Sequence, residues 1–162
     1  MIVVSDTSPV LNLARIDRLE LLPALYQQVI IPSAVYNELI ASKRDLPPAI
    51  DLATEPWLTV ATPKDEARVL KLREDLDPGE AEAIVLAIER HAGLLLVDER
   101  RARRIATVAG LAVTGLLGVL ARAKRAGVIP FAKPLLDELI DSAHFWIGAE
   151  LYREVLTELG ES

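Results

Sequence analysis

Two stretches decide the fold: Ile2-Val3-Val4-Ser5-Asp6 and Leu94-Leu95-Leu96-Val97-Asp98. Each is apolar without alternation, too short for an independent helix, and followed by a helix-forming segment. Strands of a parallel sheet covered on both faces read this way, because every side chain along them meets a packed layer. Each run also ends on an aspartate. Weaker strand candidates are Val29-Ile30-Ile31 ahead of Pro32, Leu58-Thr59-Val60 ahead of Pro63, and Leu111-Ala112-Val113 after Gly110. Between them the apolar spacing is helical at Leu19, Leu21, Leu22 and Leu25, at Val35, Leu39 and Ile40, and at Val69, Leu70 and Leu72. Asp77-Pro78-Gly79-Glu80 opens the clearest helix, 78–90, with an N-cap, a proline at the first helical position and a glutamate placed to complete a capping box. Gly93 is expected to stop it. Further helices are predicted over 99–109, 116–126 with Gly127 as terminator, 134–142 and 149–159. Ser8 before Pro9 reads as an N-cap, and Lys43 to Pro48 as the most loop-like stretch. Alternating strands and helices predict an α/β fold: a central, mostly parallel sheet flanked by helices, with right-handed crossovers.

A chain of 162 residues is the size of one domain. With 51% hydrophobic residues it has enough apolar material for a core, which excludes intrinsic disorder. The complete lack of cysteine excludes disulfides, cysteine-zinc sites and thiol nucleophiles, and suits a reducing compartment. Residues 1–4 lack the basic flank of a signal peptide, and no apolar run approaches the ~18 residues of a membrane span. A soluble cytoplasmic protein with no membrane partner is the expectation. The net charge of −6 argues against coating nucleic acid by bulk charge. Any such activity needs a local basic patch, or cations between the carboxylates and the phosphates.

Ligands of open parallel sheets bind outside the carboxyl ends of the strands, where Asp6 and Asp98 fall. The plain alternative for each is a turn or cap residue. Glu38 and Glu82 interrupt apolar helices, and a carboxylate entering such a surface must be paired, neutralised or bound to metal. Glu80 and Glu82 lie two positions apart on one helix, so their side chains diverge; the cap falls to Glu80 and the site to Glu82. Converging carboxylates select hard divalent cations, Mg²⁺ or Mn²⁺, and such ions are a recurring device of phosphodiester hydrolysis. His91 and His144 have no ligand-like spacing, no serine triad is evident, and Thr114-Gly115-Leu116-Leu117-Gly118 lacks the lysine of a phosphate loop. Arg100, Arg101, Arg103 and Arg104 follow Asp98, and Arg122, Lys124 and Arg125 form a second group. Either can grip phosphates or line a solvated helix face. Aromatic residues make up 4%, too few for an extended base-stacking platform.

Four segments together resemble the PIN-domain family: Val3-Val4-Ser5-Asp6-Thr7-Ser8, Ile31-Pro32-Ser33-Ala34-Val35-Tyr36-Asn37-Glu38-Leu39, Gly79-Glu80-Ala81-Glu82-Ala83-Ile84 and Leu95-Leu96-Val97-Asp98-Glu99-Arg100. The resemblance is to small prokaryotic, VapC-like members and extends to Gly115-Leu116-Leu117-Gly118-Val119-Leu120 and the Pro134-Leu135-Leu136 helix. It implies a PIN-like catalytic domain over 1–130 and a C-terminal helical extension over 131–162 packed on the same domain. It also implies a Mg²⁺- or Mn²⁺-dependent endoribonuclease, the toxin of a toxin–antitoxin pair, with RNA, a cognate antitoxin and a second copy of the chain as partners. Carried onto this sequence, Asp6, Glu38, Glu82 and Asp98 are the catalytic, metal-binding acids, and Thr7 or Ser8 supplies a hydroxyl that orients the first of them. Thr7, Ser8, Arg100, Arg101 and Arg104 are the substrate-binding candidates, and Glu99 is a further metal candidate. Many members carry aspartate where this chain has Glu82. The alternative function is a catalytically inactive PIN-like module that binds nucleic acid or protein.

Overall fold

The computed structural model describes residues 1–42, 51–52 and 54–162. The loop expected at Lys43 to Pro48 lies outside them. Strands β1 (Val3–Ser5), β2 (Val29–Pro32), β3 (Leu58–Ala61), β4 (Leu94–Leu96) and β5 (Val113–Thr114) form one sheet in the order β3-β2-β1-β4-β5. Every pairing is parallel, with Val4 opposite Ile30 on one side and Leu95 on the other. The helices are α1 (Thr7–Arg15), α2 (Leu21–Tyr26), α3 (Ser33–Ala41), α4 (Glu66–Leu72), α5 (Pro78–Glu89), α6 (Arg100–Val108), α7 (Leu116–Arg125), α8 (Lys133–Asp141) and α9 (Ala149–Glu158).

The continuous apolar runs are explained by the layers on either face. Val3 and Leu96 enter a core with buried residues of α1, α2, α7 and α8, whereas Val4, Leu95 and Val97 enter a second core with α5 and α6. Helix α5 is buried nearly all round, from Gly79 to Ala87, as its composition required. It opens with the expected capping box: the Glu80 amide donates to Asp77 Oδ1 at 2.8 Å, and the Asp77 amide to Glu80 Oε1 at 3.1 Å. Leu135, Leu136 and Leu139 of α8, with Leu156 and Leu159, join the first core. Glu161 accepts from the Ala132 and Lys133 amides and pairs with Lys124, which fastens the end of the chain to the start of α8.

Two local readings change. Helix α5 is turned at its end by His91, with φ 51°, rather than by Gly93. Gly93 is small because Met1 packs on it: a Cβ there would lie 2.3 Å from Met1 Cγ. Ser8 is not a cap either. Helix α1 starts at Thr7 with Asp6 at the cap position, and the Ser8 hydroxyl is directed elsewhere. Among the described residues no helix is long and apolar enough to cross a membrane.

Chain order reverses between the neighbouring strands β1 and β4, since β2 and β3 extend the sheet one way and β5 the other. This is the switch point at which open α/β sheets bind ligands. Asp6 directly follows β1 and Asp98 follows β4 by two residues.

Candidate active site

A cavity of about 440 Å³ opens at this switch point, lined by the carboxylates of Asp6, Glu38, Asp77, Glu80, Asp98 and Glu99. Asp6 is 5% exposed. Burial pushes its carboxyl up to about 7; the Thr7 amide opposes this, while the charges of Asp77, Glu80 and Glu38 add to it. Glu38, on α3, is held by Thr7, whose Oγ1 donates to Oε2 at 2.5 Å. Between Asp6 and Glu38 lies Gly79, in the first turn of α5. A Cβ there would sit 2.7 Å from Glu38 Oε1 and 3.3 Å from Asp6 Oδ1, so the two acids converge over the bare backbone of Gly79, where a side chain would crowd them.

Asp98 is fixed from two sides. Its Oδ1 accepts from the Leu116 amide at 2.7 Å, at the start of α7, and its Oδ2 from Ser8 Oγ at 3.2 Å. Asn12 Nδ2 donates to Ser8 Oγ at 3.0 Å, and Arg15 Nη1 to Asn12 Oδ1 at 3.3 Å. Residues 8, 12 and 15 share one helical face, so α1 carries a chain of hydrogen bonds from Arg15 to Asp98. Burial raises the Asp98 carboxyl, although the Leu116 amide, Ser8 and Arg103 all work against it. Burial likewise raises Glu80; its bond from the Asp77 amide opposes the shift, and Asp77, Glu99 and Glu38 reinforce it. For Glu99 burial is outweighed by the Ala102 and Arg101 amides and by the Arg101 and Arg104 charges, and its carboxyl is lowered.

The structure thus brings Asp6, Glu38 and Asp98 to one cavity and leaves Glu82 outside it. Glu82 Oε1 accepts from Ser33 Oγ at 2.9 Å and from the Ala34 amide at 3.0 Å. It caps α3, whose own cap residue, Pro32, makes no side-chain cap bond. Its side chain borders a separate cavity with Thr62, Glu66 and Leu70. The two glutamates diverge as expected, but Glu80 faces the cavity while also serving the cap. Thr7 and Ser8 line the cavity too, with their hydroxyls spent on Glu38 and Asp98 rather than on Asp6. Arg100, Arg101 and Arg104 do not line it, and Arg101 Nη1 stands 3.9 Å from Asp75 on the exposed surface. Asn12 and Arg15 line it without having been singled out in the sequence, and Asp77, read there only as a helix cap, lines it as well. The available signal was the polar spacing 8, 12, 15 on the helix that follows Asp6.

Among the described residues, no three acid or histidine side chains stand close enough together to hold a metal ion by themselves. The donor set therefore does not suit an all-protein cage. It suits a hard divalent cation that keeps several of its waters and takes one or two carboxylates with a substrate phosphate. Asp6 and Glu38, facing the gap over Gly79, are the two residues that fit this role. A cation there also removes the cost of ionising a buried acid among other acids.

A family model described as a PIN domain (DUF3368) matches residues 2–161. No curated protein matches the chain. The PIN fold is a nuclease fold, usually metal-dependent. With the match spanning nearly the whole sequence, this chain belongs to the PIN-domain family.

Proposed function

We propose that the protein is a Mg²⁺- or Mn²⁺-dependent endoribonuclease acting at the acidic cavity. The observation that carries this is the convergence of Asp6 and Glu38 on the side-chain-free surface of Gly79, at the switch point of the sheet. When bound, the cation supplies a polarised water and neutralises charge on the phosphate. Asp6 and Glu38 hold it, and Thr7 keeps the Glu38 carboxylate in place. Glu80 uses Oε1 for the Asp77 amide and, with its raised pKa, is placed to take a proton from the attacking water. Asp98, held by Leu116 and Ser8, adds a further carboxylate to the cavity lining. Glu82 has no chemical role and supports α3.

The toxin role, a cognate antitoxin and pairing of two copies belong to the same proposal and rest on family resemblance alone; a cytoplasmic location rests on the lack of cysteine, which suits a reducing compartment. The test is cleavage of an end-labelled single-stranded RNA by the wild-type protein and by Asp6→Asn, in Mg²⁺, Mn²⁺ or EDTA. Metal-dependent cleavage by the wild type that is lost in Asp6→Asn is expected. Equal behaviour of the two proteins would overturn the mechanism and leave the inactive binding module.

A further inference from the structure

Asp98 lines more than the acidic cavity. That aspartate also borders a second cavity of about 410 Å³, shared with Arg103, Thr114, Gly118 and Trp146. Thr114 and Gly118 border in turn a third, of about 590 Å³, which Arg122 and Arg125 line. Neighbouring cavities thus share lining residues, and their linings run from the acids through an apolar middle to a basic end.

Helix α7 forms one wall. Gly118, Ala121, Arg122 and Arg125 recur at the spacing of a single helical face. A Cβ on Gly118 would lie 1.9 Å from Thr114 Oγ1, so the glycine gives the Thr114 side chain room to pack on α7 where both residues border the two cavities. The Arg122 guanidinium sits 5.5 Å from the centre of the Tyr26 ring, which orients it. The Tyr26 hydroxyl, buried beside the same cavity, has no hydrogen-bond partner among the described residues. In the middle, Trp146 is 85% exposed, whereas Trp57 is 9% exposed. Leaving an indole in water costs burial energy, and here it stands over an apolar bed that includes Phe145, Leu151 and Val155.

We infer that this track holds a single-stranded nucleic acid: one base stacks on Trp146, Arg103 meets the phosphate on the acid side, and Arg122 and Arg125 meet phosphates beyond it. The inference rests on the nuclease reading and specifies its substrate. Only an unpaired base offers its face to an indole, so the geometry selects single strands over duplex. Guanidinium groups at both ends of an apolar step fit a polyanion with flat rings better than an apolar peptide.

The experiment titrates a fluorescein-labelled, hydrolysis-resistant phosphorothioate oligouridylate of twelve nucleotides in Mg²⁺, read by anisotropy. Trp146→Ala should weaken binding about tenfold and Trp146→Phe less than threefold. Arg122→Ala with Arg125→Ala should lower the slope of log affinity against log salt by about 1.4, at ~0.7 per lost phosphate contact. A duplex of the same length should bind at least tenfold more weakly than the single strand. Wild-type affinity and salt slope in both variants would overturn the track, and unimpaired Mg²⁺-dependent RNA cleavage by them would leave the nuclease reading standing. A wild-type protein that neither binds nor cleaves would overturn both. Self-association that shields Trp146 from acrylamide would also overturn the track and assign this face to a second copy. Unchanged circular dichroism and Mn²⁺ affinity in Trp146→Ala separate loss of binding from loss of fold.

Discussion

Replacing Asp6 by asparagine should stabilise the metal-free protein above neutral pH. Asp6 is 5% exposed, and its carboxyl is pushed from 3.8 to about 7 by burial and by Asp77, Glu80 and Glu38. Three units of difference between unfolded and folded states amount to at most about 4 kcal/mol. A raised folded pKa gives stability that is fully present below about pH 4 and is lost as pH rises through about 7. Asparagine keeps the size of the side chain and an oxygen for the Thr7 amide but never ionises. The difference between Asp6→Asn and wild type should therefore be near zero at pH 4 and grow to at most about 4 kcal/mol at pH 8. In a protein of this size that corresponds to roughly 10 °C in melting temperature. Urea or thermal unfolding in EDTA across that range measures it. Adding Mg²⁺ should raise the stability of the wild type and leave the variant unmoved, because a ligand stabilises only the state that binds it. A variant equal to, or less stable than, wild type at pH 8 in EDTA would show that the Asp6 charge is already compensated within the fold.

Gly79→Ala should fold, since the atom its Cβ would meet is the end of the Glu38 side chain, which can move aside. It should nonetheless lose at least tenfold in Mn²⁺ affinity by calorimetry, because its Cβ would meet Glu38 Oε1 at 2.7 Å. Glu82→Ala should lower unfolding stability by about 1–2 kcal/mol through loss of the α3 cap, and cleavage measured well below the melting point should stay within about threefold of wild type. Glu80→Gln, in contrast, should cut cleavage at least tenfold, as should Thr7→Val, which releases the Glu38 carboxylate. Cleavage at low Mg²⁺ should rise with pH through about 7, where Asp6 ionises, and the midpoint should fall as Mg²⁺ is raised.

The fold was legible because the deciding runs have one physical meaning. Val3-Val4 and Leu94-Leu95-Leu96 are uninterrupted because opposite faces of the sheet feed two cores. The capping box at Asp77 and Glu80 was legible because it is local. The site was legible where a strand end places the acid, as at Asp6 and Asp98. It was not legible where a distant element decides. Glu82 turns away because α3 needs an acceptor at Ser33 and Ala34, 49 and 48 residues earlier, and no helical spacing within α5 contains that information. Asn12 and Arg15 resemble ordinary polar residues of a surface helix until Ser8 is seen bonding Asp98. His91 adopts a left-handed turn that glycine more often takes, while the nearby glycine is reserved for Met1. The −6 charge is likewise a sum of unlike parts: carboxylates gathered at one cavity, and Arg122 and Arg125 at another.

Anomalous diffraction from a crystal grown with Mn²⁺ tests the central claim most directly. A peak about 2.0–2.6 Å from carboxylate oxygens of both Asp6 and Glu38, in the space over Gly79 and away from Glu82, is the expected result. A peak bound elsewhere, or none at saturating Mn²⁺, would contradict it.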